Sequence, residues 1–347
     1  MRSGLIALSQ ADPAAVKQYL LDRQIEREII DWKYFDPCFN RQRERGVVWI
    51  RENQVAGFLG LIPFRLEKGE VRADCAWSCD WSVDPGQGAG MGLLLVKRAR
   101  ELYDGIFNVG GNENTRRIFP RLADRTVLDA GISLVLPLRL GSVFARLPRG
   151  RIQSLLSQQE LLQRIPLRWV RGFEKTAITM EPGLAPRLIS LIESAPRGEW
   201  RPAYDAEFFD WQFRRCPAIT CCSCWISSES PLRTAAIIWR ARTSGKFWRF
   251  VLCGETHDSD KLKMLIAAIV SFVYSQGCVA LFSLASHRES DLIKQLRRRG
   301  FLPYGKLPFY GMRGRCAELP TDDFCVLNFL DADLAYRFEH DKASPEL

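Results

Sequence analysis

The sequence predicts an α/β protein, a mixed α+β sheet with helices, built as two tandem copies of one unit. Three observations predict it. A strand runs into a glycine-rich turn and then a helix over residues 76–103. The segment Glu28-Ile29-Ile30-Asp31-Trp32-Lys33-Tyr34 returns as Glu207-Phe208-Phe209-Asp210-Trp211-Gln212-Phe213. A recurrence about 180 residues away marks a duplicated unit. The strands and helices that follow each copy come in the same order.

In the first half, residues 47–50 and 55–62 flank a short polar turn and predict a hairpin. Residues 76–83 are the next strand, 90–103 a helix, and 106–109 a short buried strand. A helix over 115–122 follows, with Asn114 as its expected N-cap. In the second half, 222–226, 235–239 and 247–253 are strand-like. A long helix over 258–276 ends at Gly277, a buried strand covers 279–284, and a helix over 290–299 stops at Gly300. The expected organisation is a unit over 1–140, a basic helical linker over 141–200, and a second unit over 201–347.

Hydrophobic residues make up 47% of the 347 positions and charged residues 26%, which allows large cores and excludes a disordered chain. The formal charge of +9 favours an acidic partner, such as a nucleotide, a phosphorylated sugar, an acyl carrier protein, RNA or an anionic membrane surface. The N-terminal apolar run is too short for a signal peptide, and the longest apolar run, 264–273, is half a bilayer span. A cytoplasmic protein without a transmembrane segment is expected, with its 11 cysteines as free thiols. Cys216, Cys221, Cys222 and Cys224 cluster, but without a Cys-x-x-Cys pair they are expected to hold no metal. Residues 139–171 carry seven arginines against one acid, Glu160, and fit a surface helix or a dock for a membrane surface or carrier protein.

The most informative stretch is Val83-Asp84-Pro85-Gly86-Gln87-Gly88-Ala89-Gly90-Met91-Gly92. Glycines at 88, 90 and 92 let a ligand approach the backbone. The helix beyond begins with unpaired N–H groups at the positive end of its dipole, an anion site. No Gly-Lys-Ser/Thr is present, so this is not a P-loop, and the spacing is not G-x-G-x-x-G. The order Gln87-x-x-Gly90-x-Gly92 after Val83-x-Pro85 resembles the acyl-CoA cradle of the GNAT superfamily of N-acyltransferases.

The resemblance implies acetyl-CoA or another acyl-CoA as cosubstrate, its pyrophosphate on the amides of Gln87, Gly88, Ala89, Gly90, Met91 and Gly92. It places the thioester beside the strand ending at Val83, whose backbone N–H groups serve as oxyanion donors. Asp80 is the expected base for the acceptor amine, with Asp74 in reserve. The competing reading of Asp80 is a structural carboxylate bonded to backbone or an arginine. Asn112 or Asn114 is expected to contact the pantetheine or adenosine part. Two departures stand out. Phe119 occupies a place where the family often has a tyrosine that protonates the departing thiolate, which leaves Tyr103 as a substitute. Ala123-Asp124 stands where Gly-Phe is usual, although Gly300-Phe301 echoes that pair in the second half. At the second copy's turn, Gly254-Glu255-Thr256-His257-Asp258-Ser259-Asp260 has one glycine and several acids, so the second unit is expected not to bind CoA.

The reading implied is an acyl-CoA-dependent N-acyltransferase that moves an acetyl group to a small-molecule amine. Similarity to tandem GNAT proteins associated with bacterial polysaccharide and cell-surface biosynthesis suggests an amino sugar. The donor is expected to be acyl-CoA, with an acyl carrier protein as an alternative, and nucleic acid is not an expected partner. Two rivals stand: a Fem-like aminoacyl transferase using charged tRNA, and a non-catalytic acyl-CoA-binding module.

Overall fold

The computed structural model describes residues 3–39, 42–86, 90–138, 178–193, 200–227, 229, 231–242, 246–254 and 258–316. In the first half, β1 (Gly4–Ala7) and α1 (Pro13–Leu21) lead to α2 (Arg27–Ile30), which widens into a π-helical turn at Asp31–Phe35. Then come β2 (Gly46–Arg51), β3 (Gln54–Lys68), β4 (Val71–Val83), α3 (Met91–Leu102), β5 (Gly105–Val109), α4 (Glu113–Leu122) and β6 (Arg125–Pro137). The second half begins with β7 (Ile178–Pro182), α5 (Pro186–Glu193) and β8 (Arg201–Pro202). The second copy of the repeated segment forms α6 (Ala206–Phe209) and another π-helical turn, Asp210–Arg215. It continues through β9 (Ile219–Ile226), β10 (Thr234–Ala241), β11 (Phe247–Gly254), α7 (Ser259–Ser275), β12 (Ala280–Ser286), α8 (Ser290–Arg298) and β13 (Leu302–Arg313).

Among the described residues all strands join one sheet, in the order β1-β2-β3-β4-β5-β13-β6-β12-β11-β10-β9-β7, with β8 beside β3. The two halves exchange a strand. β13 lies between β5 and β6, and β6 lies between β13 and β12, antiparallel to both. Each half's final strand is thus built into the ladder of the other.

Helices and π-turns cover the sheet on both faces, so central strands are buried throughout and lack simple alternation. In β3, all residues from Ala56 to Phe64 are buried. One face packs α3 residues Leu95, Val96 and Ala99 against Ala76, Ile106 and Met312. The long helix α7 presents Leu262, Leu265, Ile266, Ile269, Val270 and Val273 to Cys224, Ile238 and Phe250, the stripe expected of a helix on a sheet. Burying one such leucine or isoleucine contributes about 1.5–3 kcal/mol.

Several sequence expectations shift. Asn112, not Asn114, caps α4: its Oδ1 accepts from the Thr115 N–H at 3.0 Å, and the helix begins at Glu113. Within 141–200, the described residues include β7, which pairs with β9, and α5, which packs on the second half's core through Leu188. The basic stretch 139–171 lies outside the described residues. Cys222 and Cys224 point to the α7 side of β9 while Cys221 packs on the other side. Burial pushes the Cys216 and Cys222 thiols up to about 12 and Cys221 to about 11. Among the described residues no set of three or more His, Cys, Asp or Glu side chains is arranged around a metal-sized point.

Candidate active site

The parallel pairing of β4 with β5 covers only Cys75–Trp77 against Gly105–Phe107. Both strands then continue on different partners. β4 follows β3 to the pair Gly57–Val83, and β5 follows β13 to the pair Phe309–Val109. Beyond Trp77 and Phe107 the two diverge and open a wedge in the sheet. Asn108 stands at its apex. Its Nδ2 donates to the Ser78 carbonyl and to Ser78 Oγ, both at 3.1 Å. Its Oδ1 is buried and has no hydrogen-bond partner among the described residues, which costs about 1–3 kcal/mol unless a ligand or water supplies a donor.

The wedge is widened by a β-bulge in β4. Gly60 faces Cys79 and Phe58 faces Ser82, so Asp80 and Trp81 together oppose Leu59. Asp80 takes φ +46°, a left-handed conformation that strains a non-glycine residue by about 1–2 kcal/mol. The bulge sends the two side chains to opposite faces. Trp81 packs edge-on against Phe119, with ring centroids 5.3 Å apart. It also covers Gly92, where a Cβ would lie 2.6 Å from the indole. Further along, the Asp84 N–H donates to the Ala56 carbonyl at 2.9 Å. This makes Val83 a non-hydrogen-bonded position of the β3–β4 ladder, so its own N–H is directed away from β3, toward the wedge.

The start of α3 lies at the mouth of this wedge. Gly90 is the N-cap residue, and no side chain caps the helix. The space where a Gly90 Cβ would stand is open. Gln87, Gly88 and Ala89 lie outside the described residues; Met91 and Gly92 form the first turn. The corresponding helix of the second copy, α7, is closed: the Asp258 carboxylate caps it, accepting from the Asp260 and Lys261 N–H groups at 3.1 Å each. Residues 255–257 of that turn are not described.

On the face opposite α3, Asp80 meets the first π-turn. Lys33 Nζ lies 2.6 Å from Asp80 Oδ2, and the Tyr34 hydroxyl donates to the same oxygen. The Tyr34 oxygen also lies 3.5 Å from Cys79 Sγ. Lys33 is 1% exposed, so the ammonium is held inside the protein. Gly60 makes this possible, because a side chain there would run into the Tyr34 hydroxyl. Asp80 therefore has a lysine partner where an arginine or backbone was the competing expectation.

Other sequence candidates lie elsewhere. Asp74, six residues from Asp80 and so about 20 Å along the strand, pairs with Arg43. Tyr103 follows the far end of α3, about 18 Å from its start, and its hydroxyl donates to the Glu44 carbonyl. Burial also pushes its phenol well above the usual range. Tyr103 is therefore no substitute for the missing tyrosine. Phe119 is fully buried between Trp81 and Tyr310. Asn112 spends its Oδ1 on capping, and Asn114 accepts from Arg117 Nη2 at 3.3 Å. Sequence reasoning missed Lys33, Tyr34, Ser78 and Asn108. A polar Asn108 inside the otherwise apolar run Ile106-Phe107-Asn108-Val109 was the available signal.

Solved structures of the same fold are known. A tandem GNAT protein from the clavulanic acid biosynthesis pathway superposes with a TM-score of 0.57 at 13% identity, over 90% of this chain and 98% of that one. A GCN5-related N-acetyltransferase from Anabaena variabilis gives 0.55 at 12% identity, over 89% and 72%. Saccharomyces cerevisiae N-myristoyltransferase with bound myristoyl-CoA gives 0.53 at 11% identity, over 91% and 80%. No family model and no curated protein sequence matches the chain. At such identities the likeness is one of fold.

Proposed function

From its tandem GNAT fold, we propose that this chain is an N-acyltransferase that passes an acyl group from acyl-CoA to an amine. The observation that carries the reading is the difference between the two copies. The first has a wedge between β4 and β5, a bulge at Asp80 and an uncapped glycine start to α3. The second has its helix start filled by the carboxylate of Asp258.

The first site suits the donor. Amides over residues 87–92 would hold the pyrophosphate at the positive end of α3. Asn108 Oδ1, buried without a partner, would accept an amide N–H from the pantetheine arm. The Val83 N–H, aimed toward the wedge, would steady negative charge on the reacting carbonyl oxygen. Acyl-CoA supplies the activated thioester. Asp80, on the other face, takes the proton of the acceptor amine. Phe119 has no proton to give, and a thiol with a pKa near about 8.5 departs without an acid at modest cost.

Acetyl is the acyl group we propose, because Phe64, Trp77, Phe107 and Phe309 fill the sheet beyond the closed end of the wedge. The acceptor we propose is a small amine, with an amino sugar as first choice. An acyl carrier protein bearing the same phosphopantetheine arm is the alternative donor. A cytoplasmic location follows from this reading, since acyl-CoA and free thiols belong to a reducing compartment. Among the described residues no helix is long and apolar enough to cross a membrane.

Phe119 favours a second reading, a module that binds acyl-CoA without turnover. Thermal-shift and free-thiol-release assays with acetyl-CoA, longer acyl-CoAs and a panel of amines including amino sugars separate the two. Amine-dependent thiol release supports the transferase. Binding without release selects the module, and stabilisation by charged tRNA alone would point to a Fem-like aminoacyl transferase.

A further inference from the structure

The two copies of the repeated segment permit a comparison within one molecule. Both form a short α-helix that widens into a π-turn, and both place a tryptophan at the junction between the halves. The tryptophans stack on each other, so packing accounts for them. The next two positions differ. Lys33 and Tyr34 reach Asp80, whereas the second copy has Gln212 and Phe213, and β11 (Phe-Trp-Arg-Phe-Val-Leu-Cys-Gly) offers no acid. Phe213 packs edge-on against Trp239. Gln212 is fully buried, and neither its Nε2 nor its Oε1 has a partner among the described residues.

The fold therefore needs neither a lysine nor a tyrosine at these positions. A buried ammonium is expensive to desolvate, and replacing such a pair by neutral groups is often neutral or stabilising. Lys33 nonetheless sits there, 2.6 Å from a carboxylate on a strained bulge.

We infer that Lys33 and Tyr34 are positioning residues for Asp80, holding its carboxylate at the wedge and setting the pH at which it accepts a proton. The inference deepens the proposed transferase reading, in which Asp80 is the base. In the step concerned, an N–H proton of the acceptor ammonium passes to an Asp80 carboxylate oxygen. The electron pair of that N–H bond stays on nitrogen, which becomes the neutral amine that attacks. Nothing is oxidised or reduced.

Other groups near Asp80 are few. From α1, the Tyr19 hydroxyl reaches the Ser82 carbonyl at 3.4 Å, and Arg23 is paired with Asp84. Cys79 neighbours Asp80 on its own strand and contacts Tyr34. On the α3 and α4 side the bulge presents Trp81 and Phe119, which carry no charge.

The test installs the second copy's residues in the first, as Lys33→Gln and Tyr34→Phe. An opposite charge at this range favours the ionised carboxylate, and so does a donated hydrogen bond. Loss of Lys33 should move the acidic limb of the kcat/KM profile upward by about 1–3 pH units, and loss of the Tyr34 hydroxyl should move it upward by less. Acyl-CoA affinity, read by calorimetry, should be unchanged. The second readout needs no turnover. In protein labelled with 13C-aspartate and free of acyl-CoA, the carboxyl signal that Asp80→Asn removes should titrate at higher pH in both variants. Tyr34→Phe changes no shape, so it decides the matter even where Lys33→Gln fails to fold. An Asp80 midpoint that stays put in every folded variant overturns the inference. Absence of transfer in the parent would instead count against the function, and the 13C titration would still decide the role of Lys33 and Tyr34.

Discussion

The indoles of Trp32 and Trp211 stack with ring centroids 4.4 Å apart and planes 13° from parallel. Each ring N–H donates to the other residue's backbone carbonyl, Trp32 to Trp211 at 2.8 Å and Trp211 to Trp32 at 3.1 Å. Such reciprocity is what a local two-fold relation between the copies produces. Phe39 extends the stack on Trp211, and Arg215 clamps Asp36 with two bonds of 2.7 Å. Because Lys33 and Tyr34 directly follow Trp32, the junction between the halves also anchors the turn that reaches Asp80.

Replacing Trp211 by alanine should destabilise the protein by about 3–5 kcal/mol, the usual cost of truncating a buried aromatic side chain. Denaturant unfolding of Trp32→Ala, Trp211→Ala and the double variant checks this. The two losses should be strongly non-additive, as expected for residues in contact. Additive effects would mean that the stack contributes nothing as a pair.

Asp80→Asn should lower kcat by about 10²–10⁴, the range for a lost general base, and leave acyl-CoA affinity within about twofold. Steady-state kinetics with calorimetry separates the two quantities. Normal turnover in this variant would make Asp80 a structural partner of Lys33 and nothing more.

A chain ending at Gly300 should fail to fold. It would lack β13 and so strip the pairing from one edge of both β5 and β6. For the same reason a first half ending near Leu140 is not an independent unit. Circular dichroism and solubility of the shortened chains report the outcome, and a cooperative, soluble fragment would contradict the strand exchange.

Burial pushes the Cys222 and Cys253 thiols up to about 12, so at pH 8 only about one in 10⁴ is thiolate, the reactive form. Exposed Cys38 should alkylate first in native protein, as peptide mass spectrometry would show. Elemental analysis should find well under one zinc per chain. Fast modification of native Cys222, or stoichiometric zinc lost on Cys222→Ser, would reverse this account of the cluster.

Local signals were legible in the sequence and distant ones were not. The glycine turn, the α3 and α7 helices and the β11 strand follow from short-range pattern, and their ends shift by only a residue or so. The repeat at Trp32 and Trp211 disclosed the duplication because tandem copies preserve the contacts that join them. β13 was missed because Pro303, Gly305 and Pro308 break its alternation, and its partners lie in the other half. Lys33 and Tyr34 were missed because their partner Asp80 is 47 and 46 residues away. Asn112 and Asn114 both satisfied the capping pattern, and only the backbone path out of β5 decided between them.

The central claim is that one acyl-CoA site exists per chain, at the start of α3 in the first copy. Isothermal titration of acetyl-CoA into the full chain tests it most directly. The account predicts one site per chain and no measurable binding to a folded Gly90→Glu variant, whose carboxylate would stand where the pyrophosphate belongs. Absence of binding to the parent, a stoichiometry of two, or undiminished affinity in Gly90→Glu would contradict it.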